Sequence, residues 1–156
     1  MHGFAVGKIY GGIMEYISNC TADTEKIAAE FAKNLKPGDI VTLDGDLGAG
    51  KTFFTAALCK ELGIKETVQS PTFTIVNEYR NAPVPVFHFD VYRISSPEEM
   101  YDIGFDEYIF GGGISVIEWA DNIRELFDMP YYEIRIFKDL SISENYRKIV
   151  INRRNV

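Results

Sequence analysis

The octet Gly45-Asp46-Leu47-Gly48-Ala49-Gly50-Lys51-Thr52 has the order G-x-x-x-x-G-K-T. Glycines accept positive φ, so such a loop can turn successive backbone amides inward around an anion. A lysine after the last glycine can reach the β- and γ-phosphates of a nucleotide, and the neighbouring Thr hydroxyl offers a hard oxygen to Mg²⁺. A glycine-rich helix cap would account for the glycines but not for the Lys51-Thr52 pair. Asp46, Leu47, Gly48, Ala49, Gly50, Lys51, Thr52 and Phe53 are therefore candidate nucleotide-binding residues. Asp46 is expected to point its carboxylate away from the polyanion and cap a turn.

Holding phosphate is not hydrolysing it; hydrolysis needs a further carboxylate and a group that orients water. Two apolar runs end in an acid: Val86-Phe-His-Phe-Asp90 and Ile114-Ser-Val-Ile-Glu118. Asp90 and Glu118 are each readable as a Mg²⁺-side acid, as a water-positioning group, or as a plain solvated strand end. Thr72, in Ser70-Pro-Thr-Phe-Thr74, fits an ordinary turn hydroxyl first and a γ-phosphate- or Mg²⁺-sensing switch residue second. Trp119, the single tryptophan, could stack on a base or partner, or fill the sheet edge. His88 shares a strand face with Asp90 and reads as structural. Arg93 could touch phosphate or pair with Glu98.

These groups need a scaffold, and the surrounding patterns supply one. Asp39–Asp44 reads as a buried strand feeding the loop, and Thr52–Leu62 as a helix with Phe54, Ala57, Leu58 and Leu62 on one side. An earlier helix starts at Thr21 and carries Ile27, Ala28, Phe31, Ala32 and Leu35 before Lys36-Pro-Gly38 stops it. Phe73–Tyr79 and Val86–Asp90 form a hairpin across Asn81-Ala-Pro-Val-Pro85. Ser96-Pro-Glu-Glu99 starts a short helix ended by Gly104. Ile114–Glu118 is an apolar strand, and a helix over about 121–127 stops before Pro130. The stretches 132–137 and 146–151 alternate as an antiparallel pair. The expected architecture is α/β: a three-layer P-loop NTPase-like fold with a mixed sheet and antiparallel strands at the C-terminal end.

With 156 residues, 46% hydrophobic and 25% charged, the chain suits one soluble globular domain. That domain is expected over 14–156, with 1–13 a glycine-rich extension or upstream start, disordered or non-native and without a role in the fold. A net charge of −7 argues for protein partners and small ligands before nucleic acid. Cys20 and Cys59 have no metal spacing with each other or with the two histidines, so a reducing, cytoplasmic setting is expected. No apolar run approaches membrane-span length.

Taken together, 45–52, Ser70-Pro-Thr-Phe-Thr-Ile-Val-Asn-Glu-Tyr79, His88-Phe-Asp-Val-Tyr-Arg93 and Ile117-Glu-Trp119 resemble the TsaE (YjeE) family in order and spacing. This is the bacterial ATPase family of tRNA threonylcarbamoyladenosine biosynthesis. The likeness runs from about Met14 to the C-terminus; Phe53 departs from it, because many members carry a second Thr there. The resemblance implies slow, Mg²⁺-dependent ATP hydrolysis in association with the subunits TsaB and TsaD. The transfer to adenosine 37 of tRNA belongs to TsaD, and ATP turnover resets the complex between rounds. By position, the resemblance implies phosphate binding by Lys51 and the loop amides, and Mg²⁺ ligation by Thr52 and Glu118. It makes Thr72 the switch threonine, Asp90 the water-orienting acid and Trp119 the active-site tryptophan. tRNA would be met only indirectly.

Three other readings compete. A small-molecule or nucleoside kinase shares loop and fold class, yet 62–83 offers only Arg80 toward an arginine-rich lid. A GTPase switch module would carry N-K-x-D, which the sequence lacks. A scaffold that binds nucleotide without hydrolysing it needs no second acid.

Overall fold

In the computed structural model the backbone is described for residues 5–71 and 73–155. Eight strands form one mixed sheet in the order β1-β2-β8-β7-β3-β6-β5-β4. They are β1 (Ala5–Tyr10), β2 (Ile13–Ser18), β3 (Ile40–Gly45), β4 (Val76–Tyr79), β5 (Val86–Asp90), β6 (Ile114–Glu118), β7 (Tyr131–Lys138) and β8 (Arg147–Arg154). The central four, β7-β3-β6-β5, are parallel; β4 and the β8-β2-β1 edge run antiparallel.

Alternation along the strands builds a core on each face. Val41, Leu43, Val116, Ile134 and Ile136 pack with α1 (Thr21–Ala32) and α2 (Lys51–Glu61), through Ile27, Phe31, Phe54 and Leu58. Ile40, Phe87, Phe89 and Ile117 face the other layer. There they meet Met100 of α3 (Glu99–Asp102), Phe105 and Ile109 of α4 (Phe105–Ile109), and Ile123 of a 3₁₀ segment, Ala120–Leu126. A sheet buried on both faces explains why its parallel strands read as nearly continuous apolar runs.

Several details differ from the sequence-based expectation. The backbone of Ala5–Tyr10 is not outside the fold but pairs with β2 as the edge strand. Gly11 and Gly12, at φ 53° and 88°, close the two-residue hairpin turn that makes this pairing possible. Residues 1–4 lie outside the described residues. At the start of α1 the N-cap Cys20 makes no side-chain cap bond, and the Asp23 carboxylate accepts the Asn19 amide at 3.0 Å. The strand predicted from Phe73 begins only at Val76, after Ile75 at φ 67°. The helix over 121–127 is a kinked 3₁₀ segment, because Trp119 enters it at φ 63° and Ile123 is non-helical. Cys20 and Cys59 are both free, and burial pushes the Cys59 thiol up to about 12. Among the described residues no helix is long and apolar enough to cross a membrane.

Candidate functional site

The parallel core brings the ends of β3, β5 and β6 to one edge of the sheet, where such folds place ligands. The loop after β3 turns through left-handed backbone at Gly48 (φ 78°) and Gly50 (φ 105°), and α2 starts at once at Lys51. Unpaired amides of the first helical turn and the positive end of the helix therefore face the loop. Asp46 is exposed. Its carbonyl, not the expected carboxylate, closes the turn by accepting the Ala49 amide at 3.0 Å. Leu47, 77% exposed, stands at the rim, whereas Ala49 is buried beneath the loop. Phe53 is partly exposed on the flank of the helix.

Lys51 is only 5% exposed. Its Nζ donates to the carbonyls of Gly45 (2.6 Å) and Asp46 (2.9 Å) and lies 4.0 Å from the centre of the Trp119 ring. Burial holds its pKa below the ordinary lysine value, against the opposing pull of Glu118, Asp44, Asp90 and Asp46. The ammonium is thus desolvated in advance.

Thr52 Oγ1 lies 3.1 and 3.2 Å from the two carboxylate oxygens of Glu118. Glu118 is 2% exposed, and its Oε2 is 2.5 Å from Nε2 of the fully buried His88. On the adjacent strand Asp90 is in register with Glu118. Its two oxygens are held separately, Oδ2 by the Ser70 hydroxyl (2.8 Å) and Oδ1 by the Tyr92 amide (3.0 Å). Ile75 and Trp119 flank these acids in left-handed conformations, each costing about 1–3 kcal/mol that the surroundings must offset. Ile75 accepts the Asp90 amide at 2.8 Å, and the Trp119 amide donates to Leu43 at 3.1 Å.

A cleft of about 490 Å³ joins Gly48, Gly50, Lys51, Thr52, Asp90, Glu118 and Trp119. Trp119 lies against Lys51 and Tyr92, with 4.8 Å between the Tyr92 and Trp119 ring centres, so it belongs to the Lys51 end of the cleft. Arg93 also lines the cleft, with its guanidinium over the Phe73 ring; Glu98 instead accepts the Ser96 hydroxyl. Thr72 lies outside the described residues. Asp44, although adjacent to the loop in sequence, faces the opposite layer and pairs with Arg124 at 2.8 Å. Burial and the Asp121 charge raise its pKa against the pull of Arg124.

Three participants were not legible as such. Ser70 holds Asp90, His88 holds Glu118, and Arg147 supports the loop through a 2.9 Å bond from Nε to the Ala49 carbonyl. The His88–Asp90 spacing hinted at a shared face, but the partner strand supplied the meaning. Beside Gly50 and Phe53 a second cavity, about 200 Å³, is lined by Thr21, Asn145 and Arg147.

A Thr hydroxyl facing a carboxylate, with a second carboxylate in register beside it, is a set of hard oxygen donors. It fits Mg²⁺, which takes one or two carboxylates and fills its other positions with phosphate and water. Together with the amide loop and Lys51, this arrangement suits phosphoryl transfer from a nucleotide.

The family model described as "Threonylcarbamoyl adenosine biosynthesis protein TsaE" matches residues 18–149. The tRNA threonylcarbamoyladenosine biosynthesis protein TsaE of Bacillus subtilis is 50% identical over 114 residues, 73% of this chain and 70% of that protein. The protein of the same description from Rickettsia typhi is 42% identical over 132 residues, 84% and 88% of the two chains. The one from Aquifex aeolicus is 39% identical over 144 residues, 91% and 98%. Among solved structures, the crystal structure of YdiB from Bacillus subtilis superposes with a TM-score of 0.78 at 34% identity, covering 96% of this chain and 90% of that one.

Proposed function

The chain belongs to the TsaE family of threonylcarbamoyl adenosine biosynthesis proteins, and we propose that it is the Mg²⁺-dependent ATP-hydrolysing subunit of the tRNA-modifying machinery. Its turnover cycles that machinery; the transfer to adenosine 37 is carried out by TsaD, with TsaB as the third subunit. The observation that carries this reading is the placement of Thr52 Oγ1 within 3.2 Å of both Glu118 oxygens, beside a desolvated lysine and a glycine-rich amide loop.

In this reading Thr52 and Glu118 would hold Mg²⁺, which would supply charge neutralisation at the phosphates. Lys51 exchanges its two carbonyl partners for β- and γ-phosphate oxygens, and the loop amides within 46–53 other than that of Ala49, which is paired with the Asp46 carbonyl, cradle the phosphates. Asp90, fixed by Ser70 and the Tyr92 amide, accepts a hydrogen bond from the attacking water. The water oxygen bonds to the γ-phosphorus as the bond to the bridging oxygen breaks, and the water's proton passes to the departing phosphate, releasing ADP and phosphate. Trp119 limits the positions open to Lys51, and Thr72 serves as the switch hydroxyl that senses the γ-phosphate. The smaller cavity beside Gly50 and Phe53, lined by Thr21, Asn145 and the Arg147 guanidinium, offers polar groups suited to the base.

The cleft mouth supports a site completed by a partner. Leu47 (77%), Phe73 (86%) and Tyr92 (57%) are exposed apolar groups around or beside it, a pattern typical of interaction surfaces.

The test is ATP hydrolysis measured for the chain alone and with TsaB, TsaD and tRNA. Slow turnover alone, strong stimulation in the assembly, and its loss in Thr52→Ala and Glu118→Ala are expected. Unimpaired Mg²⁺-dependent turnover in both variants would refute the site, and phosphorylation of an added metabolite would indicate a kinase.

A further inference from the structure

We propose that His88 is a positioning residue for Glu118, holding the carboxylate toward Thr52 so that the metal side of the site is preset. The inference rests on the Mg²⁺-nucleotide reading above and extends it to a residue with no direct contact to the phosphates.

The geometry begins in the ladder. In the parallel β5–β6 pair His88 is opposite Val116 and Asp90 opposite Glu118, so His88 and Glu118 share a face two positions apart. The Glu118 side chain leans back along the strand and meets the imidazole, 2.5 Å from Nε2 to Oε2. His88 is fully buried and Glu118 nearly so. A carboxylate removed from water is costly unless donors replace the lost hydration. Among the described residues its side-chain hydrogen-bond partners are Thr52 and His88.

The two partners are not equivalent. Thr52 carries a single hydroxyl proton and also has to offer its oxygen to Mg²⁺, so its bond to Glu118 changes as the site fills. His88 has no competing task, because its Nδ1 is buried without a hydrogen-bond partner among the described residues. That orphan atom also sets the tautomer. A proton on Nδ1 would be a buried donor with no acceptor, and the Nε2 lone pair would then oppose the carboxylate. With the proton on Nε2, one donor points at Glu118 and only a bare lone pair is left unpaired, the cheaper arrangement. Neighbours that orient a metal-ligating carboxylate in this way commonly contribute 10- to 100-fold in metal affinity.

The test uses the sole tryptophan, Trp119, as a reporter beside Lys51. Mg²⁺ is titrated into the full chain saturated with ADP, and nucleotide affinity is measured separately in EDTA. In His88→Leu the half-saturating Mg²⁺ concentration should rise by about tenfold or more, with ADP affinity in EDTA unchanged. His88→Gln, whose amide nitrogen can occupy the Nε2 position, should recover much of the loss, and the shorter His88→Asn should not. Wild-type-like Mg²⁺ titration in a folded His88→Leu overturns the inference, as does an equal loss of ADP affinity in EDTA, which marks a purely structural histidine. If His88→Leu does not fold, the Gln and Asn variants decide, and equal Mg²⁺ dependence in the two overturns it. Absence of any Mg²⁺-dependent step in the unsubstituted protein would instead refute the underlying Mg²⁺-nucleotide reading.

Discussion

Lys51 is held in place before any phosphate arrives, by two backbone carbonyls and the face of Trp119. Its charge is nonetheless poorly solvated, which is why its pKa is depressed, and a polyanion relieves that cost. The side chain therefore contributes to binding far more than to folding. Lys51→Ala should lose ADP affinity by at least tenfold while the nucleotide-free melting temperature moves by less than about 4 °C, the equivalent of roughly 1 kcal/mol in a chain of this size. Paired thermal melts and ADP titrations check this, and a drop of ten degrees or more would show a structural lysine. Asp90 and Glu118, similar in sequence setting, divide at this scale. Glu118 is buried between Thr52 and His88, whereas Asp90 is half-buried with each oxygen held by a different loop.

The 3₁₀ segment Ala120–Leu126 connects the site to the opposite layer. Arg124 bridges Asp44 and Asp121 at 2.8 Å each, and Arg135 reaches Asp121 at 3.2 Å. Burial pushes the Asp121 carboxyl up, but the hydrogen bonds and charges of Arg135 and Arg124 outweigh it and hold the pKa below the ordinary value. A depressed carboxylate pKa contributes stability that is fully present above the unfolded value and lost as pH falls through the folded one. Asp121→Asn should therefore cost about 0.5–1 kcal/mol at pH 7, a figure discounted for the exposure of this side chain. Urea melts should show that difference unchanged at pH 5 and shrinking below about pH 4. A constant difference down to pH 3 would assign the effect to packing. The β1–β2 hairpin contrasts with this segment: its backbone extends the sheet by pairing at the edge, three strands away from β3 and its loop.

At the scale of the molecule, a net charge of −7 and exposed apolar groups beside the cleft support the proposal of a subunit that works against protein surfaces. Phe73, 86% exposed, is stacked among the described residues only by Arg93 and has no evident task in the isolated chain. Phe73→Ser should leave ADP affinity of the chain alone unchanged and reduce the stimulation of ATP turnover by TsaB and TsaD severalfold. Stimulation at the unsubstituted level, measured in the same assay, would remove this rim from the contact.

The loop, its helix and the apolar strands ending in Asp90 and Glu118 were legible from residue order, because each depends on local rules: positive-φ glycines, a helix start and an apolar period. What local rules cannot supply is which strand lies beside which. The parallel β3–β6–β5 order sets Glu118 against Thr52 and His88, turns Asp44 to the far layer, and converts Gly11-Gly12 into a hairpin that recruits β1. Those outcomes depend on long-range pairing and on the burial of a carboxylate that must find donors. Sequence alone determined a G-x-x-x-x-G-K-T loop in the pattern of one family; the tertiary structure decided which acid meets the Thr52 hydroxyl, and which histidine holds it there.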